Sequence, residues 1–172
     1  DNIVRLTDAE RGFLMLVEQD GGLRTRVARD WGQETVPEED ITISQSIINR
    51  VVKEKTPILT TNAQEDPRFT GQDSIIAYCL RSIMCVPLLL KQKLIGVIYV
   101  DNRLRTSIFT NTDLNALQAF ANQTAVAIEN ARLFSSLNQT LDEVTELKNL
   151  MDSVFNSMAT GLVTTDLYDQ IT

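Results

Sequence analysis

The sequence predicts an α/β fold: a central antiparallel sheet of five or six strands, helices on one face, a lidded pocket on the other, and a long C-terminal helix. Three observations carry this reading. Residues 82–90 (SIMCVPLLL) and 94–101 (LIGVIYVD) are apolar runs separated by the polar triplet Lys91-Gln92-Lys93, which predicts a β-hairpin. Apolar residues occupy both parities of each run, so both faces of these strands are expected to be covered. From Thr110 onward the apolar period changes from two to roughly three and a half, the mark of a helix.

The remaining elements follow in order. Residues 1–7 read as the last turns of a helix whose start lies upstream, and the chain begins at Asp1 without Met, as expected of a piece of a longer protein. Residues 11–18 (RGFLMLVE) are expected to form a strand, Asp20-Gly21-Gly22 a turn, and residues 23–31 a second strand. In that second strand Leu23, Thr25, Val27 and Trp31 alternate with Arg24, Arg26, Ala28 and Asp30, the pattern of a half-exposed outer strand. A polar loop with Pro37-Glu38-Glu39-Asp40 follows. Ser44 is placed to cap a helix that buries Ile47, Ile48, Val51 and Val52. Residues 57–60 read as a short strand, 61–71 (TNAQEDPRFTG) as an irregular segment, and 73–80 as a short helix leading into the hairpin.

The C-terminal third is helical. Thr110 can cap it, with Asp113 as a short capping-box partner. Leu114, Leu117, Phe120, Thr124, Ile128, Ala131 and Phe134 make one stripe, and interspersed alanines allow close approach to a neighbour. Beyond Phe134 the stripe continues as Leu137, Leu141, Val144, Leu147, Met151, Val154 and Met158, first at coiled-coil spacing and then with a shortened step from Val144 to Leu147 that reads as a stammer. Such a stripe is expected to pair with a second copy, giving a parallel homodimer. A helix folded back on its own sheet explains residues 114–134 but leaves residues 137–158 without a partner.

Composition narrows the function classes. A net charge of −7 argues against non-specific nucleic-acid binding and against anchoring on anionic membranes. No apolar run approaches the length that spans a bilayer, and no signal peptide is visible, which points to a cytoplasmic protein. The absence of histidine removes His-based metal sites, His-ligated haem and His-mediated acid–base catalysis. Cys79 and Cys85 are expected to be reduced, buried thiols acting as small hydrophobes, and no glycine-rich phosphate loop or metal-spaced cluster appears.

The SIMCVPLLL strand, the LIGVIYVDN strand, the FTNTDL helix entry and the AVAIENARLF helix exit, in this order and spacing, resemble the GAF family of sensory and regulatory domains. The resemblance implies a GAF domain over residues 1–134, a coiled-coil signalling helix over 135–160, and the opening of another domain over 161–172. The segment MDSVFNSMATGLVTTDLYDQIT resembles the start of a PAS domain. The implied function is regulatory: a dimer that relays a signal to an output domain in the same chain, such as a histidine kinase or nucleotide cyclase.

The resemblance also implies a ligand cavity between the sheet and a lid formed by residues 61–80. Its candidate lining comprises Phe69 and Tyr78 as an aromatic platform, the amides of Asp73, Ser74 and Ile75, Cys85 on the central strand, and Thr61 and Asn62 at the rim. The ligand class is a cyclic nucleotide or a metabolite. In the alternative, Phe69 and Tyr78 plug the cavity and the domain is a dimerisation scaffold. The cyclic-nucleotide signature of the family, Asn-Lys, Phe and Asp-Glu, stands here as Asn102-Arg103, Phe109 and Asp113-Leu114. These residues are expected to act as a structural clamp, with Arg103 and Asp113 replacing the family's Lys–Asp bridge. A covalent bilin is not expected, because the histidine beside its cysteine is lacking. A thiol-based redox enzyme or sensor using Cys79 and Cys85 is the remaining alternative, opposed by their apolar neighbours.

Overall fold

The computed structural model describes residues 2–32, 34–37, 41–69 and 79–161, and the chain divides after Ile128 into two compact units. The first unit is built on five antiparallel strands in the order β2-β1-β5-β4-β3. They are β1 (Arg11–Val17), β2 (Leu23–Asp30), β3 (Ile58–Thr60), β4 (Ser82–Leu90) and β5 (Lys93–Asn102). The helices are α1 (Asn2–Thr7), α2 (Gln45–Glu54) and α3 (Asn111–Gly161).

The two-sided burial expected of the central hairpin is present, and side-chain parity explains it. On one face Ile83 and Cys85 of β4, with Val97 and Tyr99 of β5, join Phe13, Met15 and the α2 residues Ile47, Ile48 and Val51. On the other face Met84, Val86 and Leu88, with Ile98 and Val100, pack against Phe109, Leu117, Ala121 and Ala125 of α3 and its entry. Small side chains at Ala121 and Ala125 let the α3 backbone lie close to the sheet. Helices therefore cover both faces, α1 and α3 on one and α2 on the other.

The hairpin turn is tighter than the triplet suggests. Lys91 and Gln92 both adopt positive φ (47° and 70°), the conformation of a two-residue primed turn, so Lys93 already belongs to β5. Ser44 caps α2 as expected, its Oγ accepting from the Ile47 amide, and Lys55 closes the helix in the left-handed region with its N–H on the Val51 carbonyl.

Strand β2 departs from the simple alternation. The β1–β2 register passes from Leu14↔Val27 to Met15↔Thr25, leaving Arg26 as a bulged residue. The bulge switches the parity of everything beyond it. Ala28, not Val27, is consequently buried beneath Phe13, and Val27 turns to the α1 face beside Leu14. The free edge of β2 is partly covered: the chain turns back after Asp30 and Thr35 bridges to Arg29.

In the second unit α3 continues without a helical break from Glu129 to Gly161. The irregular step at Leu147 is thus a feature of the side-chain pattern and leaves the backbone helix intact. The tail at 162–172, expected to open a PAS-like domain, and the short helix expected within 73–80, up to Tyr78, lie outside the described residues.

Candidate functional site

Of the residues expected around the lid, Thr61, Asn62, Phe69 and Cys85 are described, whereas Asp73, Ser74, Ile75 and Tyr78 lie outside the described residues. The irregular segment is tied to the sheet by its backbone. The Thr61 carbonyl accepts from Ser82 Oγ (3.1 Å) and from the Ser107 amide (2.8 Å), and the Ala63 amide donates to the Arg81 carbonyl (2.6 Å). Asp66 makes the next turn by accepting from the Arg68 amide and guanidinium, and Arg68 also donates to the Leu59 carbonyl at 2.8 Å. Hydrogen bonding from Arg68 holds the Asp66 carboxyl down at about 2.

This turn drives Phe69 into the core, where it is buried with Ile47, Ile58 and Cys85. The guanidinium carbons of Arg68 and Arg50 stand 5.4 and 5.9 Å from the ring centroid. Cys85 is buried as expected and burial raises its thiol pKa, whereas Cys79, expected to be buried as well, is exposed where the chain enters β4. Asn62 Oδ1 is buried and has no hydrogen-bond partner among the described residues. An amide oxygen in that position invites a donor.

The clamp residues are assembled from different partners than the family bridge implies. Arg103 donates from its amide and Nε to Glu10 at 2.8 Å each. Burial works against the Glu10 charge, but the hydrogen bonds and charge of Arg103 prevail and keep its pKa below the ordinary value. Glu10 reaches Arg103 because its own amide is held by the Asp101 carbonyl at the end of β5. Asp113 instead closes the α3 cap, accepting from the Thr110 amide (2.8 Å) and Oγ1 (2.7 Å). Asn102 Oδ1 accepts from the amides of Leu104 and Arg105, shaping the turn after β5, and Phe109 is buried against α3.

One polar network escaped the sequence reading. Arg11 is 4 % exposed and Asp101 is fully buried, and they form a two-pronged ion pair. Arg11 also donates to Thr42 Oγ1 and to the Thr42 carbonyl, both at 2.9 Å, which ties the chain before α2 to the sheet. Tyr99, stacked at a tilt against Phe13, receives the Ser44 amide on its hydroxyl. Burial, with the Asp101 charge beside it, pushes the Tyr99 hydroxyl well above its usual pKa. The signal in the sequence was parity: Arg11 shares the inward face with Phe13 and Met15, and Asp101 with Val97 and Tyr99.

Comparison with known proteins agrees with this architecture. The GAF domain model matches residues 1–128, and the chain belongs to that family. It is 34 % identical over 98 residues to hybrid signal transduction histidine kinase G of Dictyostelium discoideum, covering 57 % of this chain and 3 % of that protein. It is 26 % identical over 162 residues to dual 3',5'-cyclic-AMP and -GMP phosphodiesterase 11A of Takifugu rubripes, covering 87 % of this chain and 18 % of that protein. The chain thus spans only a small fraction of the length of these relatives. A solved type II free methionine-R-sulfoxide reductase of Thermoplasma acidophilum shares the fold, with a TM-score of 0.56 at 15 % identity over 75 % of this chain and 88 % of that one. No helix among the described residues is long and apolar enough to cross a membrane.

Proposed function

We propose that this chain is a non-catalytic regulatory domain that forms a parallel homodimer through the second unit of α3 and relays a signal to an output domain in the same protein. The observation that carries the reading is the apolar row on that unit. Phe134, Leu137, Leu141, Val144, Met151 and Phe155 are all at least half exposed, a length of apolar surface that a lone chain does not leave in water. The relatives support a signalling context, since one is a histidine kinase and another a cyclic-nucleotide phosphodiesterase. In this reading residues 1–134 form the sensor, 135–160 the paired helix and 161–172 the opening of a PAS-like domain, in a cytoplasmic setting. Sedimentation velocity at micromolar concentration tests it. A dimer is expected, converted to monomer by Leu137→Glu with Val144→Glu, and a strictly monomeric parent chain overturns the reading.

The input we propose is a small molecule under the lid, a cyclic nucleotide or another metabolite, with the buried Asn62 Oδ1 receiving one of its donors. A thermal shift with cyclic AMP or cyclic GMP that is abolished in Asn62→Leu is the expected result. The burial of Phe69 and Cys85 favours a second reading, a dimerisation scaffold without ligand, and a flat response across a metabolite screen selects it. The thiol chemistry of a methionine sulfoxide reductase does not suit Cys85, whose burial suppresses the thiolate. Turnover of free methionine sulfoxide, lost on Cys85→Ser, would overturn the non-catalytic assignment.

A further inference from the structure

A cleft of about 630 Å³ opens at the end of the sheet where β1 begins and β2 ends, and none of the described lid residues lines it. Its size is that of a small-molecule site, roughly 300–1,000 Å³. Its floor is Arg11 with Thr42, one wall is the Glu10–Arg103 pair, and Asp30, Trp31 and Glu34 form the rim.

We propose that this cleft binds a small organic cation, an ammonium- or trimethylammonium-bearing metabolite, with Trp31 as its aromatic face and the Asp30 and Glu34 carboxylates as its counter-charges.

The charges decide the class of ligand. Both cations in the lining are already engaged, Arg11 by Asp101 and Thr42, and Arg103 by Glu10. Two carboxylates are left over, because neither Asp30 nor Glu34 forms an ion pair among the described residues. An anion would meet their repulsion and find no uncommitted guanidinium to receive it.

The rim is built, not incidental. Asp30 Oδ1 accepts from the Glu34 amide at 2.9 Å, and the Asp30 amide donates to the Glu34 carbonyl, so the turn carrying Trp31 is pinned at both ends. Asp30 stands in register with Arg11 across β1–β2, on the cleft side of the sheet. Trp31 is 78 % exposed, an unusual position for so large an apolar ring unless something covers it. An indole face beside uncompensated carboxylates is the arrangement that attracts ammonium groups, through the ring quadrupole and direct charge pairing together.

Trp31 is the sole tryptophan, so its fluorescence reports on the cleft directly. The full chain should be titrated with choline and with putrescine at about 50 mM salt, where charge pairing is weakly screened. The uncharged isostere 3,3-dimethyl-1-butanol serves as control. The expected result is a saturable change with at least one of the two cations and none with the isostere. In Asp30→Asn with Glu34→Gln the affinity should fall by about tenfold or more, as loss of one charge pairing implies. Asn retains the Oδ1 acceptor for the Glu34 amide, so the turn should persist, and far-UV circular dichroism with the thermal midpoint verifies this. No saturable change with either cation overturns the proposal. So does an equal response to the isostere, or an unchanged affinity in a folded double variant.

Discussion

Arg11 Nε and Nη2 bond Asp101 Oδ1 and Oδ2 at 3.0 and 2.7 Å, a fork-to-fork pair joining the first strand of the sheet to its central strand. Burial raises the Asp101 pKa to about 6, against the pull of the guanidinium beside it. The folded pKa lies above the unfolded value, so this group's contribution to stability is complete below about pH 4 and is lost as pH rises through about 6.

Removing one partner should therefore cost more than removing both. Arg11→Met is expected to destabilise by about 3–5 kcal/mol at neutral pH, because it leaves a buried carboxylate without its counter-ion. Its stability should fall more steeply with rising pH than that of the parent, since the Asp101 pKa moves further up. The double change Arg11→Met with Asp101→Leu should recover most of the loss, read from urea unfolding midpoints at pH 5 and pH 8.

The Asp66–Arg68 turn predicts the opposite sign at acid pH. Asp66 is held down at about 2 by Arg68, so its contribution is present above about pH 4 and lost as pH falls towards 2. Asp66→Asn should flatten the acid limb of a stability–pH profile between pH 5 and 2. An unaltered acid limb in the variant would show that the pairing carries no stability.

Gly96 is a packing constraint. A Cβ there would lie 2.3 Å from the Met15 carbonyl oxygen, a backbone atom that cannot swing aside. Gly96→Ala should cost about 1–3 kcal/mol or more through overpacking of the β1–β5 ladder. Chemical denaturation of the single variant checks this directly.

The proposed dimer helix carries its own test. Leu137, Val144 and Met151 recur at seven-residue steps, as do Phe134, Leu141, Lys148 and Phe155. Lys148 is the charged residue within those two rows, and a lysine in a coiled-coil seam trades affinity for register. If the rows form the dimer seam, Lys148→Leu should tighten association about tenfold or more in sedimentation equilibrium. A weaker or unchanged association would place the seam elsewhere on the helix.

The two cysteines should differ in reactivity. Cys79 is exposed and Cys85 is fully buried with its thiol pKa raised, so a thiol reagent should modify one cysteine in the native protein and both after denaturation.

Much of the sheet was legible because burial on both faces leaves its mark on both parities of a strand, as in residues 82–90. Ser44 and Thr110 were readable for a local reason: caps are set by side chains three residues apart. The β2 bulge was not, because Arg26 drops out of register only through pairing with β1. The partner of Arg103 was missed likewise, since Glu10 meets it only when residues 93 positions apart in sequence are brought together by the β1–β5 ladder. Of the lid, Phe69 was legible as an aromatic at the cavity, but its burial against Ile47 and Cys85 depends on the Asp66 turn and on α2.

By itself, then, the sequence determined the GAF identity, the paired apolar strands, the caps and the apolar stripe of α3, because each is written in neighbouring residues or in a repeat. Only the tertiary structure decided which charges neutralise one another. Arg11 meets Asp101 and Arg103 meets Glu10 through strand register, and that pairing leaves Asp30 and Glu34 beside Trp31 without an ion-pair partner among the described residues. Coulomb interactions depend on distance in space, and separation along the chain carries no record of it.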